Sequence, residues 1–216
     1  MWPAGPASGM DCRVTPGLDA GAGNDDSGWD GAPKSPFPPR PRSSYHRRMT
    51  SLVIDVRPAR ISDAAELAEV YAASWREAYA GIIPALTLER MIVRRGAGWW
   101  REAMKKRAIL VLEVGGAIAG YTNFAPAAGR GQAGAAEIQE LYLKPEYQGI
   151  GLGVRLFSAA LKRIRGRGYG RVLVRALAEN ERANGFYVRR GGRLLARTEE
   201  NLGGRALPCL WYEFRA

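Results

Sequence analysis

The sequence predicts a mixed α/β domain in which helices flank a central, mixed but largely antiparallel sheet. Strand-like segments of alternating or continuous apolar residues recur along the chain, segments with helical apolar spacing lie between them, and Gly or Pro turns mark most boundaries. In chain order these segments give the pattern β-α-α-β-β-β-α-β-α-β-β. The hydrophobic content of 46% is enough for a sizeable core.

The first part of the chain differs in composition from the rest. Residues 1–48 are rich in Pro, Gly, Ser and Asp, which predicts a disordered tail. Alternating apolar residues begin soon after Met49, so the folded domain is predicted to span residues 52–216. On this interpretation Met49 is the natural start, and the preceding residues are a gene-model extension.

The domain is predicted to open with a strand and a helix. Residues 52–57 alternate between apolar and polar side chains, as in a strand with one buried face. Ser62 or Asp63 is placed to cap the helix that follows, and Asp63 with Glu66 forms a candidate capping box. Helical apolar spacing continues to about Tyr79, so the first helix is predicted to end there.

A second helix and a hairpin are predicted next. The helix covers residues 86–106, since Gly81 and Pro84 separate it from the first. Residues 109–114 and 118–124 then flank the pair Gly115-Gly116, a signature of a two-residue turn between antiparallel strands.

The second half of the chain holds a strand, a glycine turn and two further helical segments. Residues 127–136 read as a loop, and residues 137–143 as a strand. The turn QGIGLG leads into an amphipathic helix, and a buried strand at 171–177 and a short helix at 181–190 follow. The apolar face of the longer helix is predicted to carry Val154, Phe157, Leu161 and Ile164.

Two strands, 193–198 and 207–214, are predicted to finish the chain. Residues 207–214 are predicted to leave an exposed apolar edge. Such an edge pairs with a second copy in some proteins and is also common in monomers, so the sequence leaves a homodimer open.

Composition excludes several classes of protein. No apolar run is long enough to span a membrane, and no secretory signal is recognised, so a cytoplasmic location is expected. Cys12 and Cys209 are too few for a disulfide framework or a structural zinc site. The single histidine, His46, lies in the predicted tail, which removes histidine-based triads and metal sites from the domain. We therefore expect no metal, and acid–base chemistry must use Glu, Asp or Tyr.

The formal net charge of +11 fits more than one partner. Clustered Lys and Arg bind nucleic acid by neutralising phosphates. The same charge suits a polyanionic cofactor, and it also arises from arginines on solvated faces. Charge alone does not choose among these, and nucleic acid is the partner the sequence favours least.

The glycine turn after residues 137–143 is the most informative segment. Glycines let a backbone approach an anion closely, and the first amides of the following helix point towards it. No Lys-Ser or Lys-Thr pair follows the glycines, which rejects a P-loop. The third glycine also falls too early for a dinucleotide-binding turn.

This region resembles the GCN5-related (GNAT) family of N-acetyltransferases. Gln148, Gly151 and Gly153 match the family's Q-x-x-G-x-G/A signature, and the segment NERANGFYVRRGGR matches its N-x-x-A-x-x-F-Y pattern. The resemblance covers essentially residues 52–216. It implies the fold of that family, with a sheet splayed between the strands that end at Leu143 and Leu177, and acetyl-CoA as acyl donor.

The resemblance also implies which residues hold the donor. The backbone of residues 141–143 is expected to pair with the pantetheine arm, the amides of residues 149–154 to bind the pyrophosphate, and Asn180 to hydrogen-bond the arm. Gln148 reads either as a phosphate contact or as a turn residue, and Asn180 also reads as a helix N-cap. The expected donor-binding set is Leu141, Tyr142, Leu143, Gln148, Gly149, Ile150, Gly151, Leu152, Gly153, Val154, Asn180 and Ala183.

The family transfers acetyl by direct attack of a neutral amine, which calls for a base and for help to the leaving thiolate. Tyr187 is the candidate beside the sulfur. The candidate bases are Glu140, ranked first, and Glu137. Because these two are three apart on one strand, alternation predicts that they point to opposite faces and that at most one faces the acceptor. The Leu141 amide could polarise the thioester carbonyl.

The acceptor is expected to bind near residues 75–84. Trp75 and Tyr79 share a helix face there and read either as pocket lining or as core, and Glu77 is a candidate partner for a cationic amine. The sequence predicts a primary amine of a small molecule or peptide as acceptor. A protein N-terminus, a protein lysine, or a non-catalytic module that binds acyl-CoA or nucleic acid stay as alternatives.

Overall fold

A computed structural model describes residues 53–128, 133–202 and 204–215. The predicted tail, residues 1–48, and the candidate start at Met49 lie outside the described residues. Two short 3-10 turns, Ile61–Asp63 and Pro145–Tyr147, join longer elements. The five helices described are α1 Ala64–Tyr79, α2 Ala85–Val93, α3 Ala97–Lys106, α4 Leu152–Arg165 and α5 Glu181–Arg189. The strands described are β1 Ile54–Pro58, β2 Ala108–Val114, β3 Ala117–Pro126, β4 Ala135–Leu143, β5 Arg171–Leu177, β6 Arg193–Leu202 and β7 Arg205–Arg215.

The seven strands form one sheet in the order β1-β2-β3-β4-β5-β7-β6. Every described pairing is antiparallel except that between β4 and β5. The predicted hairpin of β2 and β3 is confirmed, and its turn residues Gly115 and Gly116 have φ of 60° and 92°, which glycine adopts without strain. The predicted fold class, a mixed and largely antiparallel sheet flanked by helices, is confirmed.

The sheet is buried on both faces, so the domain has three layers. Helices α1, α2 and α3 cover one face, where Trp100, Tyr71 and Tyr121 are fully buried. Helices α4 and α5 cover the other face around Phe157 and Tyr187. Side chains of β4 contribute to both clusters, and β4 therefore lies where the two halves of the core meet.

The structure corrects the predicted second helix. Residues 86–106 form two helices, α2 and α3, separated by residues 94–96. Gly96 has an extended conformation and is the N-cap of α3, so the chain changes direction there. This break places Arg95 in the connection between the two helices.

The candidate capping box of Asp63 and Glu66 is wrong. The Asp63 side chain makes no capping hydrogen bond to α1. It accepts instead from the Arg57 guanidinium and from the Arg60 backbone amide, each at 2.7 Å. Glu66 accepts from the backbone amide of Ile118 on β3 at 2.9 Å. Both side chains therefore bind groups outside α1 and do not form the local cap that the sequence pattern indicated.

The predicted edge strand is also wrong. Residues 207–214 belong to β7, which pairs with β5 on one side and β6 on the other. The edges of the described sheet are β1 and β6. Because the backbone of β7 is paired on both sides, this strand offers no free edge to a second copy.

The apolar face of α4 is rotated slightly from the predicted one. Phe157 and Ile164 are buried as expected, whereas Leu156 and Ala160 take the places predicted for Val154 and Leu161, which are only half-buried. Among the residues the structure describes, no helix is long and apolar enough to cross a membrane.

Candidate functional site

A gap opens in the centre of the sheet between β4 and β5. The two strands pair only from Ala135–Arg171 to Ile138–Val174. Beyond that point β4 continues to Leu143 and β5 continues to Leu177, each paired only with its other neighbour. The sheet is therefore splayed between the two strands at which the family resemblance implied a gap.

The register of β3 and β4 indicates which backbone groups face this gap. The Lys144 amide donates to the Ala119 carbonyl at 2.8 Å. Pairs of an antiparallel ladder alternate, so the polar backbone groups of Leu141 and Leu143 point away from β3 and towards β5. The hydrogen bonds of the Leu143 carbonyl confirm this direction. The carbonyl does not bond to β3 and accepts instead from the Ser74 hydroxyl and from the Gln148 side chain, both at 3.0 Å.

The glycine turn lies at the end of β4 and starts α4. Gly149 and Gly151 have φ of 80° and 87°, a region that other residues rarely adopt, and Gly151 is the N-cap of the helix. The hydrogen bonds of the described residues include none donated by the backbone amides of residues 149–153. These amides, at a helix N-terminus, form a site suited to an anion.

A cavity of about 200 Å³ adjoins this turn, with arginines on its far side. It is lined by Gly149, Gly151, Gly153, Val154, Arg182, Phe186, Arg189 and Arg190. Three cations on and just after α5 thus face the free amides of the turn. The sequence analysis missed these arginines, although a basic cluster following a phosphate-type turn was visible in NERANGFYVRRGGR.

Gln148 joins three elements around the turn. Its Nε2 donates to the Leu143 carbonyl and, at 3.2 Å, to the Glu77 carboxylate. Its Oε1 accepts from Arg182 at 2.8 Å. The side chain is therefore placed as a turn residue that fixes β4, α1 and α5 relative to each other. Glu77, the candidate partner of the amine, is engaged in the same contact.

The second sequence motif builds the start and the buried face of α5. The Asn180 Oδ1 accepts from the Ala183 amide at 2.9 Å and caps the helix. Ala183 and Tyr187 are buried against α4 and the sheet. Burial raises the pKa of Tyr187 above its ordinary value. The described residues provide no hydrogen-bond partner for its hydroxyl.

A second cavity, of about 310 Å³, reaches β4 from the side of α1. Trp75 and Tyr79, the aromatic pair singled out in the sequence, both line it, with ring centroids 4.6 Å apart. The lining residues are Trp75, Tyr79, Met91, Arg95, Arg107, Glu137, Gln139, Glu140, Tyr142, Arg175, Glu200 and Asn201. Half of them carry a charge.

Both candidate bases line this cavity, which corrects the prediction that they point to opposite faces. Asn123 pairs with Glu140 and Phe124 pairs with Ile138, so Gln139 is an extra residue in β4. This β-bulge shifts the alternation by one position. Glu137 and Glu140, three apart, therefore lie on the same face, and sequence spacing alone gave no sign of the bulge.

Glu140 is almost fully engaged by its neighbours. It is 8% exposed and pairs with the Arg95 guanidinium. Its Oε2 also accepts from Asn123 at 2.7 Å and from the Tyr121 hydroxyl at 3.2 Å. Arg95 lies over the rings of Tyr71 and Trp99, with its guanidinium carbon 4.7 Å and 4.6 Å from their centroids. These contacts hold the pair rigidly in the pocket wall.

Glu137 has a different environment. It is half-buried, and within the described residues it forms no salt bridge or hydrogen bond through its side chain. Burial raises the pKa of Glu137 above its ordinary value, and the nearby charge of Arg175 opposes that rise in part. A carboxylate with a raised pKa and free oxygens is suited to accept a proton.

The match to a known family decides which chemistry this geometry belongs to. Residues 67–192 match the sequence profile of the acetyltransferase (GNAT) family, more than half of the chain. The chain belongs to the GNAT acetyltransferase family. Membership confirms the predicted resemblance and the prediction of an acetyltransferase. An uncharacterised N-acetyltransferase of Bacillus subtilis, YuaI, is similar, with 24% identity over 59% of this chain and 74% of the relative.

Solved structures share the GNAT fold. The PaiA N-acetyltransferase of Thermoplasma acidophilum, in complex with coenzyme A, superposes with a TM-score of 0.62 at 23% identity and covers 76% of this chain and 99% of its own. YncA of Salmonella typhimurium, a putative acetyltransferase with its cofactor acetyl-CoA, gives 0.58 at 21% identity over 76% and 94%. The predicted donor, acetyl-CoA, accords with both. In the described part of this GNAT chain no group of three or more His, Cys, Asp or Glu could hold a metal.

Proposed function

We propose that this GNAT chain transfers the acetyl group of acetyl-CoA to a primary amine of a small molecule or peptide by direct attack. The observation that supports this most strongly is the gap between β4 and β5, bordered by free backbone groups and followed by the glycine turn. A phosphorylated, strand-like molecule complements both features. Acetyl-CoA has this form, and coenzyme A compounds are bound in two of the similar structures.

The donor is held largely by backbone groups in this proposal. The Leu141 carbonyl and the Leu143 amide face the gap and pair with the pantetheine arm, and the unpaired amides of residues 149–153 bind the pyrophosphate. Arg189 and Arg190 add positive charge to the phosphate cavity. Asn180 and Ala183 complete the wall beside the arm. The thioester then lies at the gap, within reach of the cavity under α1.

Glu137 is the base in this proposal. The acceptor arrives as an ammonium, and Glu137 or a water held by it removes one proton. The free amine then forms a bond to the acyl carbon and the carbon–sulfur bond breaks. The nitrogen gives up its second proton, the thiolate of coenzyme A takes up one, and coenzyme A leaves as a thiol. Glu140 holds the pocket wall, because Arg95, Tyr121 and Asn123 engage its oxygens.

Two groups are assigned to the charge that develops at the thioester. The Leu141 backbone amide faces the gap and donates to the carbonyl oxygen of the acyl group. Tyr187 donates a hydrogen bond to the leaving sulfur. Because burial raises the pKa of Tyr187, complete proton transfer from its hydroxyl to a thiolate is unfavourable. A hydrogen bond to the departing sulfur is the role that fits.

Two measurements on the full chain test the proposal. Calorimetry detects binding of acetyl-CoA, and thiol release is followed with amino acids, polyamines, aminoglycosides and short peptides. Binding together with acceptor-dependent thiol release and an acetylated product is the expected result. If acetyl-CoA does not bind, the donor site is misassigned. Binding with no release to any acceptor contradicts catalysis and favours a sensor.

A further inference from the structure

We infer that the acceptor is an α-amino carboxylate with an apolar side chain, and that Arg107 selects it by binding the carboxylate. This rests on the proposed function, since it assigns the substrate class of the same active site. The inference comes from the charges, the unpaired groups and the size of the cavity that contains Glu137.

The charges that line this cavity balance. Glu137, Glu140 and Glu200 supply three carboxylates, and the cations are Arg95, Arg107 and Arg175. Two oppositely charged pairs are already formed, Arg95 with Glu140 and Arg175 with Glu200, the latter at 3.3 Å. The two remaining charged residues of the lining are Glu137 and Arg107. Neither forms a salt bridge with another described residue.

This balance disfavours a polyamine. Several ammonium groups on one ligand need an excess of free carboxylates to replace their hydration. The cavity offers a single free carboxylate and places a free cation in the same wall. A ligand that carries one positive and one negative group complements the pair, because each of its charges then meets an opposite one.

Arg107 is held where it can bind an anion. It follows α3 directly, donates to the Gln139 side chain at 3.2 Å and lies 5.8 Å from the Trp99 ring centroid. Gln139 is neutral, so the charge of Arg107 is not compensated by this contact. An arginine positioned in this way presents the geometry that carboxylates prefer.

The strand positions of Glu137 and of the residue that binds Arg107 fit a short ligand. Gln139, which holds Arg107, is two positions from Glu137 on β4. Two residues of a strand cover about 7 Å or less, which is the scale of one amino acid. The amine would then lie beside Glu137, the proposed base, and the carboxylate beside Arg107.

The rest of the cavity suits an apolar side chain. Trp75, Tyr79 and Tyr142 contribute aromatic rings to the lining, and Met91 adds an apolar side chain. The volume of about 310 Å³ lies at the lower end of the range for ligand sites, which fits a ligand the size of one amino acid.

Matched acceptors test the inference on the full chain. Each of methionine, leucine and phenylalanine is compared with its amide and with its decarboxylated amine, and spermidine is added as a polyamine. We expect kcat/KM for at least one free amino acid to exceed that for its amide by about tenfold or more. In the Arg107→Gln variant this ratio falls towards one, because the carboxylate loses its partner.

A control and the contrary outcomes separate this inference from the proposed function. Arg101→Gln changes an exposed arginine of α3 outside the cavity and should keep the wild-type ratio. Equal or better use of the amides, amines or spermidine overturns the inference while the acetyltransferase assignment stands. A ratio that Arg107→Gln leaves unchanged overturns the role of Arg107. Failure to bind acetyl-CoA instead contradicts the proposed function itself.

Discussion

The two carboxylates of β4 differ at the scale of single residues, and this difference gives them separate tasks. Glu140 is closed in by Arg95, Tyr121 and Asn123, whereas Glu137 keeps free oxygens in the pocket. A base must exchange protons with a substrate during each turnover. Glu137 can do so without breaking contacts inside the protein, and Glu140 cannot.

Replacing Glu137 by Gln is expected to lower kcat by about a hundredfold, the scale of lost general-base catalysis. A base works when deprotonated, so the wild-type rate falls as pH drops through the pKa of Glu137. Burial raises that pKa, which moves the fall to a higher pH than for an ordinary glutamate. In the variant, kcat should no longer fall at low pH with the pKa of Glu137. Thiol release measured between about pH 5 and pH 9 checks this expectation.

Stability provides an independent check on the same residue. A carboxyl whose folded pKa is raised destabilises the fold as pH rises from its ordinary pKa through the raised one. Glu137→Gln should therefore melt at a slightly higher temperature than wild type at neutral pH. Glu140→Gln is the matched control and should lose about 2 kcal/mol, because Arg95, partly exposed, loses its partner. Equal activity losses in the two variants, with unchanged stability, would contradict this division.

Tyr187 is assigned to the leaving sulfur, and its loss should act on turnover. Tyr187→Phe removes one hydrogen-bond donor, so kcat should fall about tenfold or more while the KM for acetyl-CoA changes by less than about twofold. The melting temperature should stay near wild type, since no bond within the described residues is lost. Tyr169→Phe, a change in a half-buried tyrosine packed on the same core cluster, is the control. Wild-type turnover of Tyr187→Phe would remove this residue from the chemistry.

At the scale of elements, the sequence could predict those helices, strands and turns that are determined by residues close together in the chain. The hairpin at Gly115-Gly116, the strand β5 and the glycine turn all follow from residues near in sequence. The bulge at Gln139 does not, because it is set by how β4 registers against β3. The capping box was mispredicted for a similar reason. Asp63 binds Arg57 and Glu66 binds the backbone of β3, and a local pattern does not show contacts with other elements.

The glycine turn makes a sharp prediction for donor binding. Gly151 has φ of 87°, and a methyl group added there would meet nothing within 4 Å, so Gly151→Ala is strained only in its backbone. We expect a loss of about 1 kcal/mol in stability and, because the turn amides are displaced, a Kd for acetyl-CoA raised about fivefold or more. Calorimetry and thermal melting measure the two effects.

Gly168→Ala is the matched control for the turn. Gly168 has φ of 85° and equally open surroundings, but it lies after α4 and away from the phosphate cavity. It should lose similar stability and keep the wild-type affinity for acetyl-CoA. If both variants bind acetyl-CoA equally well, the turn is not the pyrophosphate site.

At the scale of the whole molecule, family and fold were predictable because two motifs lie at a set separation in a set order of elements. The position of β7 inside the sheet was not, since a strand's neighbours depend on where the chain returns. The charged residues that line the pocket together with Glu137 could not be predicted from the sequence either. Arg95, Arg107 and Glu200 come from three separate parts of the chain and meet only after folding.

We propose that the first 48 residues of the chain are dispensable for the stability of the domain and for catalysis. The described residues from Val53 onward already contain both edges of the sheet, both core clusters and both cavities. A chain beginning at Met49 should therefore melt within about 2 °C of the full chain, a shift below about 1 kcal/mol, and keep its kcat/KM within about twofold.

A chain beginning at Ala59 is the contrasting case for this truncation. It lacks β1, and with it the pairing to β2 and the contacts of Arg57 with Asp63 and Glu113. We expect it to be strongly destabilised, because the edge of the sheet and the apolar side chains of Ile54 and Val56 are lost from the core. If the chain from Met49 loses as much stability as the chain from Ala59, residues 1–48 are part of the folded unit, and the proposed domain boundary is wrong.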